Sequence, residues 1–223
     1  MVTWSCKSCV VVVVVLAFSI VMNVGHQCLC GADPTDGFTR VTLTGDDLVL
    51  QKPYDQATQN RFSSQNGVDR FWVFNNDKPF KQDSPTRPRT EIRITGHDYS
   101  SGVWQFEGNA YVPKGTSGVT IMQVFGSGGS EATTLQLRIY NGELSYYNSR
   151  LVASNIYDRW LRVNVIHDVD QGKLTVFVDG VQKLVANGRG KATFYFKYGV
   201  YAAPEGSSNY MESRWKGIKI FKK

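Results

Sequence analysis

Three short segments of the chain carry residue types that can hold an anion. They are residues 89–93 (RTEIR), 123–125 (QVF) and 195–201 (YFKYGVY). Each segment has the character of a β-strand, in which side chains alternate between the two faces of the sheet. The residues predicted to point to one face are Arg89, Glu91, Arg93, Gln123, Phe125, Tyr195, Lys197 and Tyr201. A row of cations, an amide and phenols on one sheet face suits a ligand that carries carboxylates.

The arginine segment by itself has two interpretations. Glu91 can hold the guanidinium groups of Arg89 and Arg93 in a surface ladder, and exposed pairs of that kind contribute little to stability. Alternatively, the two arginines join the donors of the other segments in a carboxylate clamp. Three or four charge-assisted hydrogen bonds of about 1.5–3 kcal/mol each would leave micromolar to millimolar affinity after association costs of at least about 4 kcal/mol.

The rest of the chain predicts the strands that position these residues. Residues 135–140 alternate apolar and polar side chains, as a half-buried strand does. Asn141-Gly142 and Asp179-Gly180 each join two such runs, which is a strong hairpin signal. About a dozen strands at this spacing, without long amphipathic helices, predict an all-β fold. We expect a two-sheet antiparallel jelly-roll sandwich of the concanavalin or glucanase kind, with a cleft on the concave sheet.

The N-terminal residues have the composition of a targeting segment. Residues 9–24 are almost wholly apolar, and this run is shorter than the roughly 20 residues of a membrane span. We therefore predict a secretory signal peptide over residues 1–30, with an uncleaved signal anchor as the alternative, and one jelly-roll domain over residues 31–223. Cys6, Cys9, Cys28 and Cys30 all lie in the signal segment. The mature chain, without cysteine or disulfide, is expected in the vacuole or outside the cell.

The net charge and the positions of histidine and lysine residues limit the kinds of ligand and partner that we expect. The mature chain keeps 24 basic and 19 acidic residues, a formal charge of +5, which mildly favours anionic ligands and lacks the dense basic pattern of a nucleic-acid binder. We expect no cofactor, no metal, no membrane span and a monomer. His97 and His167 are interpreted as solvated turn histidines. Lys216, Lys219, Lys222 and Lys223 are interpreted as solvated.

Two further features leave alternatives open. Four aromatic residues can line a carbohydrate cleft or belong to the core and the sheet surface: Trp104, Phe106, Tyr146 and Tyr147. The glycine-rich residues 126–130 follow the Gln123 strand and are either a lid or a plain mobile turn.

Residues 88–93 (PRTEIR) and 195–201 resemble the arginine-rich strand and the YFKxGxY strand of the alginate-lyase jelly-roll family, polysaccharide lyase family seven. Residues 48–54 (LVLQKPY) and 70–73 (RFWV) look more closely like the citrate-binding proteins of plants, which share that fold. The resemblance extends over about residues 36–223. It implies a jelly roll and, for the citrate-binding branch, a small polycarboxylate ligand.

The resemblance also implies roles for single residues. In the lyases, a uronate is cleaved by β-elimination: an arginine and a glutamine neutralise its carboxylate, and the matching positions are Arg89 and Gln123. A tyrosine, matched by Tyr201, gives a proton to the leaving oxygen. The histidine base of the lyases falls at Phe125, which cannot accept a proton. Loss of a positioned base costs about 10²–10⁴-fold in rate.

We therefore expect citrate binding by a clamp of five residues whose arginines are oriented by Glu91. The clamp comprises Arg89, Arg93, Gln123, Lys197 and Tyr201. The main alternative is a uronate polysaccharide lyase in which Tyr201 acts as both base and acid, with its pKa lowered by a nearby Lys197. A noncatalytic module that binds oligosaccharides is the second alternative.

Overall fold

The computed structural model describes residues 32–126 and 132–223. The predicted signal segment and most of the glycine-rich loop lie outside the described residues. Within them, the chain forms two single-turn 3-10 helices (Gly45–Asp47 and Thr58–Asn60) and fifteen strands. The strands are β1 (Thr39–Val41), β2 (Leu48–Gln51), β3 (Phe62–Gln65), β4 (Val68–Phe74), β5 (Arg89–Ile94), β6 (Val103–Tyr111), β7 (Val119–Gly126), β8 (Thr133–Tyr140), β9 (Glu143–Tyr146), β10 (Arg150–Ala153), β11 (Trp160–Asp168), β12 (Lys173–Val178), β13 (Val181–Asn187), β14 (Phe194–Ala202) and β15 (Tyr210–Lys222).

The strands form two antiparallel sheets. The eight-stranded sheet has the order β13-β12-β11-β6-β15-β4-β3, and β1 pairs with β15 beside this path. The seven-stranded sheet has the order β10-β9-β8-β7-β14-β5-β2. The predicted all-β sandwich is therefore confirmed. None of the helices in residues 32–126 and 132–223 has the length and hydrophobicity to span a membrane.

The core lies between the two sheets and is rich in aromatic rings. Phe106 of the eight-stranded sheet lies 5.7 Å from the Trp215 ring and 6.0 Å from the Tyr198 ring, measured between centroids. Tyr198 comes from the seven-stranded sheet, so these contacts join the two layers. Phe106 is fully buried, which excludes it from a surface cleft. Trp104, on the same strand, stacks on Tyr99 at 4.9 Å and belongs to the core periphery.

Both predicted hairpin turns form. Asn141 and Gly142 have φ values of 50° and 87°, and Asp179 and Gly180 have values of 52° and 79°. Two consecutive positive φ values are the signature of the type I′ turn, whose twist matches that of the flanking strands. The local sequence therefore sets the register of β8 with β9 and of β12 with β13.

Gly199 lies within strand β14, and glycine is required there for its backbone conformation and for lack of space. Its φ is +139°, and a Cβ atom there would lie 2.5 Å from the Thr90 carbonyl oxygen and 2.6 Å from the Glu91 Cα. The replacement Gly199→Ala is expected to lower the free energy of unfolding by about 2 kcal/mol, because strain and a backbone clash act together. Gly180→Ala, with open space around its Cβ position, should cost about 1 kcal/mol. Urea denaturation of both variants measures the difference, and equal losses would contradict the clash.

The structure corrects the interpretation of His167 as a solvated turn residue. His167 lies within β11 with 1% of its surface exposed, and its Nδ1 is 3.1 Å from the Tyr99 hydroxyl. The turn was predicted over residues 167–172, but β11 continues two residues into that range, to Asp168, and the His167 ring points into the core. His97 is partly exposed and lies 3.9 Å from Asp47.

Lys219 also differs from its predicted solvated state. Its Nζ donates to Glu107 Oε1 at 2.7 Å, while 38% of its side chain stays exposed. The second Glu107 oxygen accepts from Arg162 at 2.6 Å and from Asn164 at 3.0 Å. The eight-stranded sheet thus carries a buried carboxylate with its own donors, separate from the segments singled out above.

Candidate functional site

Strands β5, β14 and β7 lie side by side and bring the predicted residues onto one outer face of the seven-stranded sheet. Lys197 of β14 is opposite Arg93 of β5 and Gln123 of β7. Tyr201 of β14 is opposite Arg89. Because side chains alternate, Glu91 points to the same face as these residues, and Gly199 opposite it contributes no side chain.

Glu91 is the centre of this face. It is 2% exposed, and its Oε1 accepts hydrogen bonds from Lys197 Nζ at 2.7 Å and from Arg89 Nη1 at 3.1 Å. Its Oε2 accepts from Gln123 Nε2 at 2.5 Å. Three donors predicted to hold a ligand carboxylate therefore hold the carboxylate of Glu91.

The expectation that Glu91 orients both arginines is wrong for Arg93. The Arg93 Nη2 instead donates to Asp98 Oδ2 at 2.6 Å. Asp98 lies in the segment that follows β5, and it reaches the guanidinium because Arg93 is near the end of the strand. Glu91 therefore pairs with Arg89 alone of the two arginines.

Lys197 is a buried lysine with two acceptors. It is 2% exposed, and its Nζ donates to Gln51 Oε1 at 2.6 Å as well as to Glu91. Burial lowers the pKa of Lys197, and the neighbouring Glu91 carboxylate opposes that shift. Sequence reasoning missed Gln51, although it lies in the segment 48–54. The pairing of β2 with β5, which sets Gln51 opposite Glu91, is the signal that would have found it.

Two arginine–tyrosine stacks flank Glu91. The Arg89 guanidinium lies 4.0 Å from the Tyr201 ring centroid, and that of Arg93 lies 3.8 Å from the Tyr195 ring centroid. The Nε atoms of both arginines are buried and have no hydrogen-bond partner among the described residues. Burial raises the pKa of Tyr195, and Arg93 opposes that rise. The cation that contacts Tyr201 is thus Arg89, whereas the sequence analysis named Lys197.

The hydrogen-bond network continues from Gln123 to β8. Gln136 Nε2 donates to Gln123 Oε1 at 3.4 Å, and Arg138 Nε and Nη2 donate to Gln136 Oε1 at 2.9 and 2.6 Å. Alternation along β8 placed both residues on the outer face, but the sequence did not single them out as site residues. They hold the Gln123 amide so that its NH₂ group faces Glu91.

Phe125 closes the site beside Lys197. Its ring stacks on Tyr195 with centroids 5.0 Å apart, and Lys197 Nζ lies 5.5 Å from its centroid. A phenyl ring offers no atom that accepts a proton. The group at this position therefore shields the lysine and cannot act as a base.

Of the charged side chains described above on this face, four are cationic and two are anionic. Arg89, Arg93, Lys197 and Arg138 stand against Glu91 and Asp98, an excess of two cations among the residues described above. A separate cavity of about 420 Å³ lies beside strands β8–β10 and includes none of the predicted site residues. In the described ranges, no three His, Cys, Asp or Glu side chains are grouped to hold a metal ion.

Fold and sequence together define the class of protein. The sequence profile described as alginate lyase matches residues 42–222, and the chain belongs to this alginate lyase family. It is also 67% identical over 193 residues to the citrate-binding protein of Hevea brasiliensis, covering 86% of this chain and 81% of that protein. The resemblance identified from the sequence is thereby confirmed.

Solved structures confirm the jelly roll. Alginate lyase AlgAT5 of polysaccharide lyase family 7 superposes with a TM-score of 0.63 at 16% identity, covering 78% of this chain and 93% of that one. The alginate lyase of Corynebacterium sp. superposes with a TM-score of 0.60 at 18% identity, covering 74% and 82%. At sequence identities this low, the similarity supports a shared fold and no shared function.

Proposed function

We propose that this protein binds a small polycarboxylate of the citrate type on the outer face of the seven-stranded sheet. One observation carries the proposal: Arg89, Lys197 and Gln123 converge on a single carboxylate, that of Glu91, among side chains of which four are cationic and two are anionic. The donor set is therefore built for carboxylates. The name of the Hevea relative supports citrate as the ligand.

The residue at position 125 favours binding over catalysis. β-Elimination needs a group that removes the proton next to the uronate carboxylate, and the family resemblance puts that group at Phe125. A phenyl ring cannot perform this step, and loss of a positioned base costs about 10²–10⁴-fold. The remaining arginine, glutamine and lysine keep their hydrogen-bonding function, because they do not depend on the base.

The arginine–tyrosine stacks supply the docking positions for the ligand. Each guanidinium carbon lies over a phenol ring, within 4.0 Å of its centroid, and this contact restrains the side chain before the ligand arrives. A preorganised planar donor loses little side-chain entropy on binding a carboxylate. Arg89 donates to Glu91 from Nη1 and Arg93 donates to Asp98 from Nη2, so the second terminal nitrogen of each guanidinium keeps donor capacity for this purpose.

Replacement of Arg89 by alanine is expected to weaken citrate affinity by about 10–100-fold, because one or two charge-assisted hydrogen bonds are lost. Isothermal titration measures this change. Arg70→Ala is a matched control, since Arg70 lies 4.9 Å from the Trp72 ring and pairs with Glu212 at 2.7 Å on the other sheet. Unchanged affinity in Arg89→Ala, or an equal loss in both variants, would contradict the clamp.

A second candidate function is a uronate polysaccharide lyase that uses Tyr201. The observation in its favour is the position of Tyr201, which stacks on Arg89 on the same face as Gln123. Such an enzyme would generate unsaturated uronates that absorb in the ultraviolet, and Tyr201→Phe would abolish the signal. Absence of any signal with alginate, glucuronan and pectic substrates would exclude this candidate.

A further inference from the structure

The charges along β5 alternate in a way that constrains the ligand. Arg89, Glu91 and Arg93 follow one another on the outer face at intervals of two residues, which is about 6.6 Å along a strand. The order on this face is therefore cation, anion, cation. A ligand that lies along the strand must offer groups that complement a buried carboxylate at its centre and a guanidinium on either side.

Glu91 retains hydrogen-bonding capacity toward such a ligand. A carboxylate has about four acceptor positions, two on each oxygen. Oε1 accepts from both Lys197 and Arg89, whereas Oε2 accepts from Gln123 alone among the described residues. One acceptor position thus remains, and it is on Oε2.

A ligand carboxylate cannot take the central position. Two carboxylates in contact repel each other strongly where water is excluded, and the central donors already serve Glu91. The flanking positions are different, since Arg89 donates to Glu91 from Nη1 and Arg93 donates to Asp98 from Nη2, which leaves the second terminal nitrogen of each guanidinium for a ligand. Carboxylates of the ligand therefore belong at the two arginine–tyrosine stacks, and a hydrogen-bond donor belongs between them.

We infer that Glu91 is a specificity-determining residue that selects polycarboxylates with a hydroxyl group between two carboxylates. The hydroxyl donates to Glu91 Oε2, and the two carboxylates accept from Arg89 and Arg93. The ligand class is that of hydroxy-di- and hydroxy-tricarboxylates, to which citrate belongs. This inference rests on the proposed function. It adds the requirement that the ligand carries a hydroxyl group between two carboxylates, which charge complementarity alone does not impose.

The test compares two ligands that differ in one group. Tricarballylate is citrate with hydrogen in place of the hydroxyl. Both are titrated into the wild-type protein at a pH at which all three carboxyl groups of each are ionised. Citrate is expected to bind at least about tenfold more tightly, because a hydrogen bond to a charged acceptor is lost and Glu91 keeps an unmatched position.

The variant Glu91→Gln then assigns the discrimination to this residue. An amide has no charge to repel a ligand and offers a weaker acceptor, so tricarballylate should bind more tightly than to wild type and the preference for citrate should fall below about threefold. Glu143→Gln, an exposed glutamate on β9, is the control and should keep the wild-type preference. A change in stability alone would lower both affinities and leave their ratio unchanged.

The outcomes separate the inference from the function on which it rests. Equal affinity of the wild type for both ligands, or an unchanged ratio in Glu91→Gln, overturns the role of Glu91 while the carboxylate clamp stands. Failure of the wild type to bind either ligand overturns the clamp and the inference together. Tighter binding of citrate that is lost specifically in Glu91→Gln supports both.

Discussion

Replacement of Lys197 by methionine is expected to lower the free energy of unfolding by about 3–5 kcal/mol, because it leaves the Glu91 carboxylate buried without its nearest cation. The two side chains are 3% and 2% exposed and lie 2.7 Å apart. Water cannot replace the lost ammonium at that depth, and Arg89 and Gln123 compensate only in part. Urea denaturation at neutral pH measures the loss.

A control and a double variant show whether the buried charge is the cause. Lys219→Met breaks a pair of the same length, but 38% of that lysine side chain is exposed, so the expected loss is below about 1 kcal/mol. The double variant Glu91→Gln/Lys197→Met removes both charges and should be more stable than Lys197→Met alone. A Lys197→Met protein as stable as wild type would show that Glu91 does not need the lysine.

Acidification is expected to produce the second large effect, through His167. Burial lowers the pKa of His167 from 6.5 to about 4, and Asp168 opposes that shift. The unfolded chain therefore binds this proton at a higher pH than the folded chain does. As the pH falls from about 6.5 to about 4, the contribution of His167 to stability is lost, up to about 3 kcal/mol.

The variant His167→Phe isolates this contribution. Phenylalanine fits an environment in which the His167 ring is 4.5 Å from Phe194 and perpendicular to it, although it gives up the contact with Tyr99. Stability measured against pH should fall less steeply between pH 6.5 and 4 in the variant than in wild type. Burial raises the pKa values of Glu107 and Glu212, but hydrogen bonds from neighbouring side chains outweigh burial and lower both pKa values overall. Both glutamates are present in the variant and in wild type, so their titration affects the two proteins equally. Superimposable pH profiles would contradict the assignment.

The alternation of side chains between the two faces of a strand explains why the face of the site residues could be predicted from the sequence. The period-two pattern placed Arg89, Gln123 and Lys197 on one face, and the pairing of β5, β14 and β7 then made them neighbours. The two hairpin turns were predictable because positive φ values demand Asn, Asp and Gly. The family resemblance supplied the citrate expectation, which local patterns do not contain.

The errors arise where long-range register decides the contact. Nothing in the local sequence shows that β2 pairs with β5, so the bond from Lys197 to Gln51 was missed. The same limit hid the partnership of Tyr201 with Arg89. The bond from Arg93 to Asp98 was missed for a local reason, because it depends on how the chain turns after the end of β5. His167 was misplaced for a local reason: the turn was predicted over residues 167–172, and the strand continues through the first two of them.

Titration of the purified protein with citrate at low and at high salt shows whether the outer face of the seven-stranded sheet binds a polycarboxylate. Saturable binding that weakens as salt increases is the predicted result, because charged donors hold the ligand. A uronate oligosaccharide titrated in parallel should produce no ultraviolet absorbance. Absence of citrate binding at millimolar concentration, or unsaturated products from the oligosaccharide, would contradict a carboxylate clamp without a catalytic base.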